Sequence, residues 1–331
     1  MDKKPAPVRR KSRSKKGTAA RAASRGSGSA SSRKKPPSRK STSPRPAANA
    51  RPRPVEFTNV DKTWFPAANI TKGDVLKYYL AVADKLLPHL RDRPITLERM
   101  PDGVGEGKPR FWQKNTPDYY PSWIPRFELS SEQGKRVQYA LVNDEQSLAY
   151  LVNQGAITFH PFLSRVQDLD HPDFVLFDLD PGGAKFADVV RIAKALHSLL
   201  DQMGKENFVK TSGKSGLHVL VPWREEGGYD AAREWAMSLA SAVVTTRPDV
   251  ATTERLKAER EGRVYIDVIQ NARGHHAVPP YVLRPTPQAT VSTPLDWKEV
   301  TPKLDPKKFN VGTALKRFGK GADPLIALVG K

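Results

Sequence analysis

Residues 55–331 predict an α+β fold, on two observations. Segments with apolar residues at helical spacing are interleaved with short apolar runs bounded by Gly, Pro, Asn or Asp. The 277-residue body is also long enough for one large α+β domain or for two lobes sharing a cleft. "TKGDVLKYYLAVADKLLPHL" (71–90) opens with Thr71 as an N-cap, and Val75, Tyr78, Tyr79, Val82 and Leu86 recur at helical period. "PITLERM", "FWQKN" and "VQYALVN" read as short strands, and "EQSLAYLVNQGA" as a helix ending at Gly155 before the strand "ITFH". "FVLFDLD" (174–180) is an apolar strand with acids at its end. It is followed by a helix over about 185–203, the strand "NFVKT", a Gly-Ser turn and the strand "LHVLVP". A helix over about 229–246 leads to the strand "RVYIDVIQN" and then to "AVPPYVLRP". No internal repeat and no second low-complexity linker interrupts the body.

The formal charge of +20 is unevenly placed. Residues 1–54 hold 18 Lys or Arg against Asp2 alone, a net +17, and the remaining 277 residues carry only +3. The basic segment has no aromatic residue and no Leu, Ile or Phe, so it cannot bury enough apolar surface to offset its ordering entropy and is expected to be disordered. Scattered cations there would contact phosphates without reading sequence, an effect that fades as salt rises. An organellar transit peptide is the rival reading, set against by the lysine clusters, the prolines and the lack of an amphipathic pattern. There is no secretory h-region and no apolar run of membrane-spanning length. With no cysteine, thiol catalysis, disulfides and Cys-ligated zinc are excluded, and a soluble intracellular protein is expected.

Three stretches can carry chemistry. In "FVLFDLDPGG" strand alternation sends Asp178 and Asp180 to one face and Leu179 to the other. Two ionised carboxylates that close repel unless a cation lies between them or one is protonated; an acidic strand end capping the next helix is the structural alternative. In "VKTSGKSGLHV", Ser212, Gly213, Ser215 and Gly216 form a tight turn whose backbone N–H groups can cradle an anion, flanked by Lys210, Lys214 and His218. An ordinary Gly-Ser hairpin is its alternative. A P-loop is excluded, because the first glycine of that motif would fall at Phe208 and a strand follows where a helix is required. In "VYIDVIQN" the lone acid Asp267 must bind metal or be paired, for instance with Arg263. "FDLD" also resembles the start of haloacid-dehalogenase-type phosphatases, but Pro181-Gly182 stands where Gly-Thr is usual and Asp267 has no acidic neighbour.

In order, "FVLFDLDPG", "FVKTSGKSGLHVLVP" and "RVYIDVIQNARGHHAVPPYVLRP" resemble the polymerase domain of bacterial ligase D, in the archaeo-eukaryotic primase superfamily. The resemblance runs through nearly the whole body, from "FTNVDKTWFP" and "TKGDVLKYY" through "HPFLSRVQDLDHPD" to "STPLDWKEV". It implies a primase-polymerase catalytic fold, with mixed and antiparallel sheets flanked by helices around one cleft. It also implies template-dependent transfer of (ribo)nucleotides to DNA 3′ ends at gaps and breaks during non-homologous end joining. By this resemblance Asp178 and Asp180 ligate two divalent ions, Mn2+ or Mg2+, and Asp267 holds the one at the 3′-hydroxyl. His160, Ser212, Lys214, His218 and Arg284 bind the incoming NTP or dNTP. Lys62 and Lys72 match lysines that grip a 5′-phosphate across a gap. Phe111-Trp112 matches an aromatic pair stacking on template bases, and alternation predicts that one of the two turns into the core.

The sequence departs from the family in places. Val268-Ile269 replaces the common Tyr-Leu, Phe162 stands for a frequent tryptophan, and His275-His276 replaces small residues. A ligase signature (Lys-x-Asp-Gly) is absent, since Asp102-Gly103 has Met100 in the lysine position. The expectation is therefore a stand-alone polymerase in the bacterial cytoplasm, associated with the nucleoid. Its partners in trans would be a Ku-like end-binding protein and a separate ATP-dependent DNA ligase. A non-catalytic DNA-end-binding scaffold is the main alternative, and the three acids facing DNA phosphates argue against it.

Overall fold

The computed structural model describes residues 55–130, 134–225, 227–319 and 321–329; the basic segment 1–54 lies outside them. Strands β1 (Thr63–Phe65) and β2 (Ile70–Thr71) form a small hairpin that delivers the chain to helix α1 (Lys72–Ala81). Thr71 caps α1 in a capping box with Asp74, as its sequence position predicts. The expected single helix over 71–90 is instead two, because the axis breaks at Val82 before α2 (Ala83–Leu90). Val82 marks the break with φ −105° and ψ 4°, away from helical values, although its N–H still bonds to the Tyr78 carbonyl.

Next come β3 (Ile95–Arg99), β4 (Phe111–Gln113), β5 (Arg126–Ser130), β6 (Arg136–Ala140), α3 (Glu145–Asn153) and β7 (Ala156–Pro161). The strands form an antiparallel sheet in the order β4-β3-β6-β5, with β7 also paired to β3. Tyr78, Tyr79 and Leu86 of the helices pack with Ile95, Leu97 and Phe159 of the sheet in the first core. Gly155 ends α3 with φ +95°.

The second sheet is built from β8 (Phe174–Asp180), α4 (Phe186–Gln202), β9 (Phe208–Thr211), β10 (Leu217–Pro222) and α5 (Tyr229–Thr246). To these are added β11 (Ala251–Thr252), β12 (Val264–Asp267) and β13 (Pro294–Leu295), in the order β11-β12-β8-β10-β9-β13. Among the described residues only β11 and β12 pair in parallel. Stripped of β11 and β13, the chain path β8-α4-β9-β10-α5-β12 is a split βαβ unit of the ferredoxin-like kind. Both helices cover one face, where Val189, Leu196, Ala236 and Val243 pack on Val175, Phe177 and Leu179. "AVPPYVLRP" is not a regular strand; it holds an isolated bridge, Leu283↔Val291, and backbone hydrogen bonds to Ser292 and Thr290. The chain closes with α6 (Val311–Phe318), whose Asn310 caps the helix. Among the described residues no helix is long and apolar enough to cross a membrane.

Candidate active site

The face of the second sheet away from its helices carries the predicted acids. Leu179 is fully buried on the helix side, so its neighbours Asp178 and Asp180 project the other way. Cross-strand register then builds a row: Asp267 lies opposite Asp178, Asp178 opposite His218, and His218 opposite Lys210. Residues so paired have Cβ atoms about 4.5–5.5 Å apart. The row is a lysine–imidazole–carboxylate–carboxylate series crossing four strands, and burial, then Arg284, pushes the Lys210 pKa well below the usual lysine range.

Its hydrogen bonds set its charge states. Lys210, buried, donates from Nζ to His218 Nδ1 at 3.0 Å and to Ser292 Oγ at 2.8 Å. His218 Nδ1 is thus the acceptor nitrogen, and Nε2 faces Asp178 Oδ1 at 3.4 Å. Burial pushes the Asp178 carboxyl upward, but His218, Lys210 and Arg284 outweigh it and hold the group below the usual carboxylate range. Asp267 moves the opposite way: burial raises its pKa, and the charge of Asp178 adds to the rise, against a bond from the Ile269 N–H. Two carboxylates pushed apart in pKa at one site mark a repulsion that a cation relieves. Carboxylate oxygens are also the donors that Mg2+ and Mn2+ take, so the residues fit such ions. Among the described residues no three potential ligands are already gathered around one point. Asp180 is drawn instead to Arg260 Nη1, 3.2 Å from its Oδ2, and Arg260 lies over the Tyr265 ring. The alternative partner for Asp267 does not form, because Arg263 binds Glu261 and backbone carbonyls.

The Gly-Ser turn joins β9 to β10, two strands, as the exclusion of a P-loop requires. Ser212 Oγ accepts the N–H groups of Lys214 and Gly216. Gly213 has φ +71°, and a Cβ there would lie 2.5 Å from Arg284 Cγ; one at Gly216 would lie 2.2 Å from the Leu179 carbonyl oxygen. Both glycines let the turn close on β8 and on Arg284. Arg284 donates to the Ser212 carbonyl at 3.0 Å, and its Nε is buried without a partner. Burial first, then Arg284, lowers the Lys214 pKa. Two crowded cations beside an open turn attract an anion.

The first sheet supplies the opposite wall of a cleft of about 350 Å³ lined by Trp112 and His160 as well as Asp178, Ser212, Lys214 and Arg284. His160 Nε2 lies 3.5 Å from Oε2 of Glu98, which is fully buried and also paired with Arg110. Burial raises the Glu98 pKa, but His160, Arg110 and Arg284 outweigh this and bring it down to about 2.

The predicted aromatic pair differs from expectation. Phe111 and Trp112 are 40% and 50% exposed, so neither enters the core. β4 has only three residues, pairs with β3 alone at the sheet edge, and contributes neither aromatic to the first core. Trp112 turns to the cleft, 4.7 Å from the His160 ring, while Arg99 lies over Phe111. The two lysines also differ from each other. Lys62 is exposed and paired with Asp102, whereas Lys72 is buried with Nζ bonded to the Thr58 carbonyl at 2.6 Å. They are close enough that Lys62, after burial, lowers the Lys72 pKa. Sequence reading missed Gln270 of the cleft lining, and also Glu98 and Arg260, which lie behind it and pair with His160 and Asp180. Glu98 had a signal, since it is a lone acid inside an apolar strand, the criterion that singled out Asp267.

Three acids on the open face of a βαββαβ sheet, set against a cationic glycine turn, are the layout of a nucleotidyltransferase of the polymerase class. The model of the LigD primase-polymerase domain family matches residues 71–325, and the chain belongs to that family. It is 33% identical over 274 residues to the bifunctional non-homologous end joining protein LigD of Bacillus subtilis, covering 82% of this chain and 44% of that one. The multifunctional LigD of Mycolicibacterium smegmatis is 32% identical over 278 residues, 82% of this chain and 36% of that one. The chain thus spans less than half the length of these curated relatives. The solved polymerase domain of Mycobacterium tuberculosis ligase D, in complex with DNA, superposes with a TM-score of 0.78 at 31% identity, covering 83% of this chain and 98% of that one. Family membership removes the phosphatase reading of "FDLD".

Proposed function

We propose that this protein adds ribo- or deoxynucleotides to DNA 3′ ends, directed by a template, at gaps and breaks during non-homologous end joining. The observation that carries the reading is the row Asp267–Asp178–His218–Lys210 facing the Ser212–Gly216 turn. Two divalent ions, Mg2+ or Mn2+, would activate the primer hydroxyl and neutralise the leaving pyrophosphate. Asp178, Asp180 and Asp267 would hold them, with Asp180 released from Arg260. Arg284, Lys214 and the turn's backbone N–H groups that Ser212 and Gly216 do not already accept bind the triphosphate, and His218 is oriented by Lys210 toward the metal-holding edge. Lys62, exposed beside the start of α1, meets a 5′-phosphate, with Lys72 beneath it adding charge. Phe111 offers a stacking surface for unpaired template bases.

In this reading residues 1–54 are a basic DNA-contacting segment and 55–331 the catalytic body. A Ku-like end-binder and a separate ATP-dependent ligase would act beside it at the nucleoid. The test is primer extension on a gapped duplex with Mn2+ or Mg2+, with and without a 5′-phosphate on the downstream strand. Templated extension stimulated by the phosphate is expected. Tight end binding with no extension would establish the scaffold reading instead.

A further inference from the structure

The cleft has two chemically distinct ends. One is ionic, formed by the acids, the glycine turn and Arg284. The other is aromatic, formed by Trp112, His160 and His276 over Leu176 and Val278. The rings of Trp112 and His276 lie 24° from parallel with centroids 6.2 Å apart. His160 stands across both, 4.7 Å from Trp112 at 55° and 5.2 Å from His276 at 67°. Two near-parallel rings with a third edge across them make a three-sided slot.

We propose that His276 is a specificity-determining residue, forming with Trp112 the two walls of a slot that takes the flat base of the incoming nucleotide, with His160 at its inner end. The proposal rests on the reading of this cleft as the nucleotide site, and three observations support it. A planar group stacked on both sides at carbon contact distances of roughly 3.5–4.0 Å needs walls about 7 Å apart, slightly more than the slot shows. Trp112 can supply the difference, because it is half-exposed on a three-residue edge strand. His276 is the fixed wall: its backbone bridges Phe162, and the next N–H, of Ala277, donates to Pro161 at the end of β7. Burial, then His160, Lys114 and His275, push the ring's pKa down to about 4, so a neutral imidazole faces the slot at neutral pH. Double-sided stacking favours larger rings, so purine triphosphates should bind more tightly than pyrimidine ones.

The test is calorimetric titration of the full chain with ATP, CTP and base-free ribose 5-triphosphate, in Mg2+ without primer. Replacing His276→Ala should weaken ATP about tenfold and CTP less, and leave ribose triphosphate unchanged. His276→Phe, which restores a flat wall, should return ATP to within about threefold of wild type. His275→Ala, at the exposed neighbour, should change nothing. Equal weakening of ATP and ribose triphosphate in His276→Ala would overturn the base slot, as would an unchanged ATP affinity. If the wild-type chain binds none of the three, the nucleotide reading of the cleft fails and the slot falls with it.

Discussion

At the scale of single residues, the proposed chemistry turns on the acids and their counter-charges. Asp178 is held ionised by His218 and Lys210, and it raises Asp267 across the strand pair. Asp178→Ala should therefore reduce primer extension by on the order of a thousandfold or more, the equivalent of several kcal/mol of lost charge stabilisation. DNA binding should survive or tighten, since a negative group is removed from a phosphate-facing surface. Near-wild-type extension would remove Asp178 from catalysis. Glu98 acts on stability as well as on the cleft. Its pKa is about 2 in the fold against an ordinary value of 4.5. A depressed pKa contributes stability that is complete above the unfolded value and is lost as pH falls through the folded one. Glu98→Gln should thus destabilise the chain by about 1–3 kcal/mol at neutral pH. The gap to wild type should close between pH of about 4.5 and about 2. Denaturant melts of both proteins across that range check it, and a gap independent of pH would refute the assignment.

At the scale of elements, the hairpin β9-turn-β10 positions the ionic half of the site, and its glycines are the points of closest approach. A Cβ at Gly216 would meet the Leu179 carbonyl at 2.2 Å, which requires β10 and β8 to separate next to the Asp178–His218 pair. Gly204 has φ +65° with open space around it. Gly204→Ala should cost about 1–2 kcal/mol of left-handed backbone strain and leave extension intact. Gly216→Ala should lose at least as much stability and also raise the nucleotide KM. If the two variants raise KM equally, the hairpin's fit to β8 is not what holds the site. Much of this architecture was legible in the sequence because strand alternation fixes which side chains share a face. Asp178, Asp180 and the His218 strand follow from period two alone. The register that sets Asp267 opposite Asp178 is a long-range pairing with no local signal. The break at Val82 is a change of backbone angles at one residue, and the exposure of both Phe111 and Trp112 goes with β4 lying at a sheet edge; periodicity reports neither.

At the scale of the whole molecule, charge and chemistry are separated along the chain. Residues 1–54 carry +17 of the +20 charges, while every residue assigned to the cleft lies in the body. Deleting residues 1–54 should leave turnover on saturating DNA almost unchanged while weakening DNA affinity and flattening its salt dependence. On duplex DNA the slope of log K against log salt is about −0.9 per neutralised phosphate, so contact by half of the 18 cations would steepen it by about eight. Preference for a 5′-phosphorylated gap should persist after the deletion, because Lys62 and Lys72 belong to the body. Binding isotherms of both forms between about 50 and 200 mM salt measure the difference. Equal slopes would show that the basic segment does not hold DNA and serves a protein partner or targeting instead. Loss of the 5′-phosphate preference along with the segment would move that contact out of the body and away from Lys62.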